Sequence, residues 1–137
     1  MNEIQQLQEA LSQNSLVLFA YLFGSRATNK AGNVSDWDIA VYIEENKLEA
    51  NPVWQKIKIE DDISFVLNTD RVQATILNNL DAPLLSFNII NEGVVLKDSY
   101  RELREIFEWQ VLRRFHDWRY NLDRHMNADK CRRKVSL

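Results

Sequence analysis

The sequence predicts an α/β fold in which a small mixed sheet is flanked by helices. An unbroken apolar run at 16–23 has the length of a buried strand, and apolar residues alternate over 37–43 as in a second strand. From about 99 to 128 the chain has no Pro or Gly, and apolar residues recur every three or four positions, which is typical of a helix. With 137 residues and 45% hydrophobic content, we expect residues 1–137 to form a single domain.

The first half of the chain alternates helix and strand. Residues 2–13 suit a short helix over the sheet, with Ile4, Leu7 and Leu11 on one face. The two predicted strands are separated by a connection, 26–35, that is rich in turn-forming residues. A second helix is expected from Pro52 to about Leu67, although Ile57 and Ile59 alternate as they would in a strand, so both structures stay open there.

The second half predicts one more strand, a helix and a short strand. Residues 71–77 suit a third strand, and Pro83 is placed to begin a helix that ends near Gly93. A short fourth strand at 94–96 follows. The predicted apolar face of this helix consists of Leu84, Leu85, Phe87 and Ile90.

The C-terminal part, 99–137, is predicted to be an amphipathic helix followed by a basic tail. Its apolar seam consists of Leu103, Phe107, Val111, Phe115, Trp118, Leu122 and Met126, and the tail carries Lys130, Arg132, Arg133 and Lys134. Further apolar positions such as Trp109 and Tyr120 exceed what one sheet face can cover. The excess marks either a partner interface, where Trp and Tyr are favoured, or additional core.

The candidate site lies where the first two strands end and begin. Gly24-Ser25 follows the first strand, and Asp36-Trp37-Asp38 comes after ten intervening residues. Residues two apart in a strand face the same way, so the two carboxylates would lie together while Trp37 points to the opposite face. Such a pair can hold a divalent cation, and the Gly-Ser turn offers backbone N–H groups and a hydroxyl to a phosphate. Alternatively, the acids line a solvated face and the glycine serves a tight connection.

This pattern resembles the signature of the DNA polymerase beta-type nucleotidyltransferases, and in so short a chain it resembles their minimal (MNT) branch. A second block, from Val72 to Leu96, is similar to the third strand of MNT proteins and the helix and short strand that follow it. The resemblance implies a nucleotidyltransferase fold. It also implies a HEPN-domain toxin as partner, because the best-understood members are antitoxins that adenylylate a HEPN ribonuclease.

The resemblance assigns a role to each residue of the pattern. Asp36 and Asp38 would be catalytic and would bind Mg²⁺, while Gly24 and Ser25 would receive the phosphates of ATP. Arg26, beside the turn, would neutralise charge on the leaving group. The implied activity is that of a Mg²⁺-dependent protein adenylyltransferase.

One expected acid is missing. Family members usually carry a third carboxylate on the third strand, and matching the Val72 block places that position at Gln73, with Thr75 as its neighbour on the same face. Neither side chain is anionic, and losing one anionic ligand weakens a metal site. The sequence therefore leaves slow, altered or absent transferase activity open.

The sequence is compatible with two functions of different classes, an enzyme and a binding protein. The first is an enzyme that transfers AMP from ATP to a hydroxyl of its toxin partner. The second is a catalytically impaired antitoxin that neutralises the partner by binding alone, through the long helix. Transfer to a small molecule is less favoured, because no additional domain is evident to form that substrate's pocket.

Charge, cysteine content and hydropathy limit the binding partners and the cellular location that we expect. The net charge of −3 gives no reason to expect direct nucleic-acid binding, and one cysteine, Cys131, excludes an internal disulfide. The polar N-terminus lacks the features of a secretory signal, and the longest apolar run is too short to span a bilayer. We expect a cytoplasmic protein with no membrane association that forms a hetero-oligomer with its partner.

Overall fold

One mixed sheet lies between two pairs of helices in the computed structural model, which describes residues 2–28 and 35–135, with side chains through residue 127 of the last helix. This is the α/β arrangement that the sequence predicts. In chain order the elements are α1 (Glu3–Ser12), β1 (Val17–Phe23), β2 (Trp37–Ile43), a short 3₁₀ turn (Glu45–Lys47), α2 (Val53–Leu67), β3 (Val72–Ile76), α3 (Pro83–Glu92), β4 (Val94–Asp98) and α4 (Arg101–Val135).

The sheet has the order β3-β2-β1-β4. The β1 strand runs antiparallel to both β2 and β4, whereas β2 and β3 are parallel. A parallel pair needs a crossover, which α2 supplies between β2 and β3. The register pairs Asp38 with Phe23 on one side and with Gln73 on the other. These three residues therefore form one row across the sheet, on the same face.

Each face of the sheet has its own apolar core. The first core joins α1 and α2 to the sheet through side chains that include Leu7, Leu11, Ile39, Val41, Ile59 and Ile63. The second core joins the opposite face to α3 and α4 and includes Phe19, Tyr21, Ala40 and Ile89, with Leu103 and Phe107 packed against it. Because side chains alternate along β2, Trp37 belongs to the first face and Asp38 to the second.

The segment that left helix and strand open is helical. In α2 the buried residues are Ile59 and Ile63, one turn apart on the face toward the sheet. The helix ends at Asn68, which adopts the left-handed conformation with φ of 55°. Trp54 and Phe65 lie on the outer surface, with exposed fractions of 75% and 88%.

The predicted apolar face of α3 is partly wrong. Ser86 and Ile89 are the buried residues, whereas Leu84 and Leu85 are exposed. Positions three residues apart share a helix face, so turning Ser86 and Ile89 toward the sheet carries the two leucines away from it. Phe87 stacks on Phe115 of α4 with ring centroids 4.0 Å apart, so it contacts the neighbouring helix.

The first half of α4 packs on the sheet, and the second half leaves it. Leu103, Phe107 and Phe115 are half-buried and Val111 is buried, as the seam predicts. Every described side chain from 116 to 127, which we call the projecting segment, is exposed, including the predicted seam residues Trp118, Leu122 and Met126. The predicted basic residues of the tail lie beyond the described side chains.

A polar network fixes the base of α4. The buried Tyr21 hydroxyl of β1 donates a hydrogen bond of 2.6 Å to Oε1 of Glu108, which also accepts one of 2.8 Å from Nη1 of Arg104. Arg104 in turn pairs with Asp98 of β4 at 3.1 Å. Burial, reinforced by Glu108, raises the pKa of Tyr21, so the phenol stays a donor at neutral pH.

Among the described residues, no helix is both long and apolar enough to cross a bilayer.

Candidate active site

The Gly-Ser turn and the acid of β2 are in direct contact, as the sequence predicts. At the end of β1, Gly24 adopts a φ of 77°, which a side chain would strain. A Cβ atom at this position would lie 2.5 Å from Oδ2 of Asp38. Glycine is therefore required twice, for its backbone conformation and for the space occupied by the carboxylate.

A tight turn presents Ser25 and Arg26. The Ala27 N–H donates a 3.1 Å hydrogen bond to the Gly24 carbonyl, which makes Ser25 and Arg26 the two central residues. Ser25, for which the sequence predicted a phosphate contact, therefore follows directly on the glycine that lies against the Asp38 carboxylate.

Asp36 lies immediately before β2 and not within it. The strand begins at Trp37, as the sequence predicts, and its register with β1 ends at the pair of Phe23 and Asp38, so Asp36 has no antiparallel neighbour. Its Oδ1 lies 3.9 Å from Nη1 of Arg71, both side chains being about half exposed. Sequence reasoning did not identify Arg71; its position just before β3, beside the start of β2, was the available signal.

The two carboxylates repel each other. Burial raises the pKa of Asp38, and the charge of Asp36 raises it further. A divalent cation between them would replace this repulsion with attraction. Mg²⁺ is commonly held by one or two carboxylates plus substrate phosphates, so the donor set of Asp36, Asp38 and an adjacent phosphate turn fits this ion.

The third-acid position is where the sequence placed it, and it is neutral. Gln73 pairs with Asp38, and Thr75 with Ala40, in the parallel ladder between β2 and β3. Over the described residues there is no group of three His, Cys, Asp or Glu side chains that could hold a metal ion. We call Gly24, Asp36, Asp38 and Gln73 the acidic corner; it contains two carboxylates and one carboxamide.

Arg26 makes contacts that sequence reasoning missed. Its Nε and Nη2 atoms donate hydrogen bonds of 3.0 and 2.8 Å to the carbonyl of Ser35. Its guanidinium also lies 4.0 Å from the centre of the Trp37 ring, in a cation–π contact. The parity of β2 did indicate that Trp37 faces away from Asp38, but the residue that stacks on it could not be read from spacing.

Three solved toxin–antitoxin structures are similar to this chain in fold. A crystal structure described as the toxin-antitoxin with AMP-PNP aligns with a TM-score of 0.73 at 19% identity, over 93% of this chain and 98% of that chain. The toxin-antitoxin MntA-HepT gives 0.67 at 17% identity, over 92% and 95%. A tri-AMPylated Shewanella oneidensis HEPN toxin in complex with MNT antitoxin gives 0.66 at 16% identity, over 91% and 97%. At these identities the likeness concerns the fold.

The sequence itself supplies the family. No curated protein sequence matches it significantly. The model of the family described as polymerase beta, nucleotidyltransferase, matches residues 5–102, well over half of the 137 residues and the whole of the acidic corner. The chain belongs to the polymerase beta nucleotidyltransferase family.

Proposed function

We propose that this protein is an antitoxin that transfers AMP from ATP to a hydroxyl group of a partner HEPN toxin. The observation that carries the proposal is the acidic corner, in which a glycine without room for a side chain brings the Gly24-Ser25 turn against Asp38, with Asp36 beside it. The similar solved structures support it, because one is a toxin–antitoxin with AMP-PNP and another contains an AMPylated HEPN toxin.

Ser25 and the residues of the acidic corner have separate roles in this proposal. Gly24 allows the triphosphate to approach the backbone, and Ser25 donates its hydroxyl to a phosphate oxygen. Asp36 and Asp38 would hold Mg²⁺, which when bound supplies neutralisation of phosphate charge and a template for the acceptor hydroxyl. The acceptor oxygen bonds to the α-phosphorus, the bond to the bridging oxygen breaks, pyrophosphate leaves, and the acceptor proton passes to solvent.

Gln73 distinguishes this chain within the proposal. Its carboxamide stands beside Asp38 where a third carboxylate would add anionic charge. A carboxamide cannot accept the acceptor's proton at neutral pH, so the hydroxyl loses its proton without a base from β3. We expect slower transfer than a site with three acids would give.

A second candidate function is neutralisation of the toxin by binding alone. Two observations favour it: the neutral Gln73, and the projecting segment of α4, which carries exposed Trp118, Tyr120 and Leu122. Aromatic side chains of this kind are frequent anchors in protein interfaces. In both proposals residues 1–137 act as one domain in the cytoplasm, and 99–137 contains the partner-binding helix and basic tail.

Intact-mass spectrometry separates the two functions. The purified protein is incubated with its candidate HEPN partner, ATP and Mg²⁺, alongside the double variant Asp36→Asn/Asp38→Asn. A partner that gains one or more AMP masses with the native protein, and none with the variant, supports the enzyme.

The control variant is Asp61→Asn/Asp62→Asn, which removes two exposed carboxylates from α2 and should leave labelling intact. A stable complex without any mass gain supports neutralisation by binding. Labelling that survives in the Asp36/Asp38 variant would refute the assignment of the acidic corner.

A further inference from the structure

We propose that Arg26 is a positioning residue for Asp36 and not a ligand of the triphosphate. This inference rests on the proposed metal site and concerns how that site is assembled. Asp36 has no strand to fix it, because it precedes β2 and follows the connection from β1. Its neighbours on both sides, Ser35 and Trp37, are the two residues that the Arg26 side chain contacts.

The first contact fixes the backbone on the N-terminal side of Asp36. Two guanidinium nitrogens converge on the Ser35 carbonyl at 3.0 and 2.8 Å, and hydrogen bonds from a charged donor are stronger than neutral ones. The peptide that joins Ser35 to Asp36 contains this carbonyl. Its orientation therefore sets where the Asp36 side chain starts.

The second contact fixes the other side. Trp37 is only 5% exposed and belongs to the core between the sheet and the first pair of helices. The Arg26 guanidinium stacks on this immobile ring at 4.0 Å. The Arg26 guanidinium thus lies between the Ser35 carbonyl and the buried Trp37 ring. Asp36 stands between these two restrained residues in the chain.

Although Arg26 belongs to the turn, the same geometry directs its guanidinium to the face of β2 opposite the Asp38 carboxylate. Trp37 and Asp38 are consecutive strand residues, so their side chains project from opposite faces of β2. The Arg26 guanidinium lies on the Trp37 ring, whereas the Gly24 turn lies against the Asp38 carboxylate. A guanidinium directed to the phosphates would have to leave both of its present contacts.

The sign of one measurement separates positioning from a simple charge effect. Arg26 is a cation near a cation site, so removing its charge alone would tighten metal binding. Removing a residue that orients a ligand instead weakens metal binding, commonly by about 10-fold or more. The variant Arg26→Met keeps a long side chain and loses the guanidinium.

The experiment measures Mn²⁺ affinity by electron paramagnetic resonance on the nucleotide-free protein, and AMP-PNP affinity by calorimetry in the presence of EDTA. For Arg26→Met we expect Mn²⁺ affinity to fall by about 10-fold while metal-free AMP-PNP affinity stays unchanged. Arg113→Met is the matched control, because Arg113 stacks on Trp109 of α4 at 5.5 Å and lies outside the acidic corner.

Tighter or unchanged Mn²⁺ binding in Arg26→Met would overturn the proposal, as would any loss of metal-free AMP-PNP affinity. If circular dichroism shows that Arg26→Met does not fold, Arg26→Lys replaces it: the charge is kept, the forked contact with Ser35 is lost, and the same fall in Mn²⁺ affinity is expected. A native protein that binds no Mn²⁺ even with AMP-PNP present would instead refute the proposed function, which keeps the two failures distinct.

Discussion

The acidic corner and the projecting segment of α4 solve opposite problems. In the corner, backbone pairing and a glycine force polar groups together, and the folded protein tolerates the repulsion between Asp36 and Asp38. In the projecting segment, the described apolar side chains are exposed to solvent. The repulsion costs stability, the exposed apolar side chains contribute none, and neither is explained by the needs of the fold. The comparison therefore teaches that the two proposed functions, chemistry and association, use two separate regions of the molecule.

The largest expected effect comes from shortening α4. A stop codon after Asp117 removes the projecting segment from Trp118 onward and spares Leu103 and Phe107, which pack on the sheet. We expect partner affinity, measured by biolayer interferometry, to fall by at least about 100-fold because aromatic anchors dominate interface energies.

The matched control for this truncation is Trp54→Ser/Phe65→Ser on α2, which removes exposed aromatic area from the other side of the molecule. Unchanged affinity in a folded truncated protein would show that the exposed apolar surface of α4 is not the interface. Equal losses in both proteins would point to non-specific adhesion.

Anchoring of α4 to the sheet is tested next by Tyr21→Phe. The variant deletes the 2.6 Å hydrogen bond to Glu108 inside a buried network. We expect the free energy of unfolding in urea to fall by about 1–2 kcal/mol, as for a buried hydrogen bond to a charged group.

Tyr42→Phe provides the comparison, because its hydroxyl also donates to a carboxylate, Glu45, at 2.8 Å, but this hydrogen bond is exposed although the residue is half-buried. Burial, with help from Glu45, raises the pKa of Tyr42 to about 12, so this phenol too is neutral at pH 7. A loss of only about 0.5 kcal/mol is expected there. Equal losses would contradict a special role for the α4 anchor.

The neutral position of the corner is tested by Gln73→Glu. Adding a carboxylate beside Asp38 should tighten Mn²⁺ binding by about 10-fold, since affinity for hard cations rises with the number of anionic ligands. Gln110→Glu on α4 adds the same charge away from the sheet and should change nothing. If Gln73→Glu binds Mn²⁺ no better than the native protein, residue 73 does not face the metal.

The smallest effect is a gain in stability from Asp38→Asn. Burial and the charge of Asp36 raise the pKa of Asp38 in the folded state, so the folded protein binds protons more readily than the unfolded chain. Stability therefore falls as pH rises from the pKa of Asp38 in the unfolded chain to its higher pKa in the folded protein. Asparagine removes this penalty. In EDTA we expect a rise in Tm of about 1–3 °C at pH 7 that disappears below the ordinary pKa of aspartate.

Asp62→Asn on the surface of α2 is the control for this melting experiment. A fall in Tm for Asp38→Asn at pH 7 would mean that the carboxylate is a net stabiliser, and the repulsion argument would be wrong.

The sequence was sufficient for features that repeat or that depend on special residues. An unbroken apolar run located β1, alternation located β2, the Pro83 and Gly93 signals bounded α3, and the spacing from Gly24 to Asp38 indicated that the parts of the corner lie together. The block match placed Gln73 beside Asp38, and the strand register agrees.

Other features depend on tertiary packing that no local pattern encodes. The face that α3 buries follows from how Ser86 and Ile89 meet the sheet. The prediction that Leu84 and Leu85 belong to this face, which relied on their hydrophobicity alone, was therefore wrong. Arg26 has several rotatable bonds, and its stacking on Trp37 is decided by the position of two chain segments that are distant in sequence. The exposed end of α4 is distinguished from its packed base only by where the sheet stops.

The length of α4 beyond the sheet sets a fixed spacing within the molecule. Residues 116–127 extend about 18 Å along the axis, at about 1.5 Å per residue, and the base of the helix is tied through Tyr21 to β1, the strand that precedes Gly24. A partner bound along this segment would be held at a set distance from the two aspartates. Which of its hydroxyl groups reaches them would then depend on where it binds α4, so inserting or deleting a helical turn in α4 should move the acceptor from one residue to another.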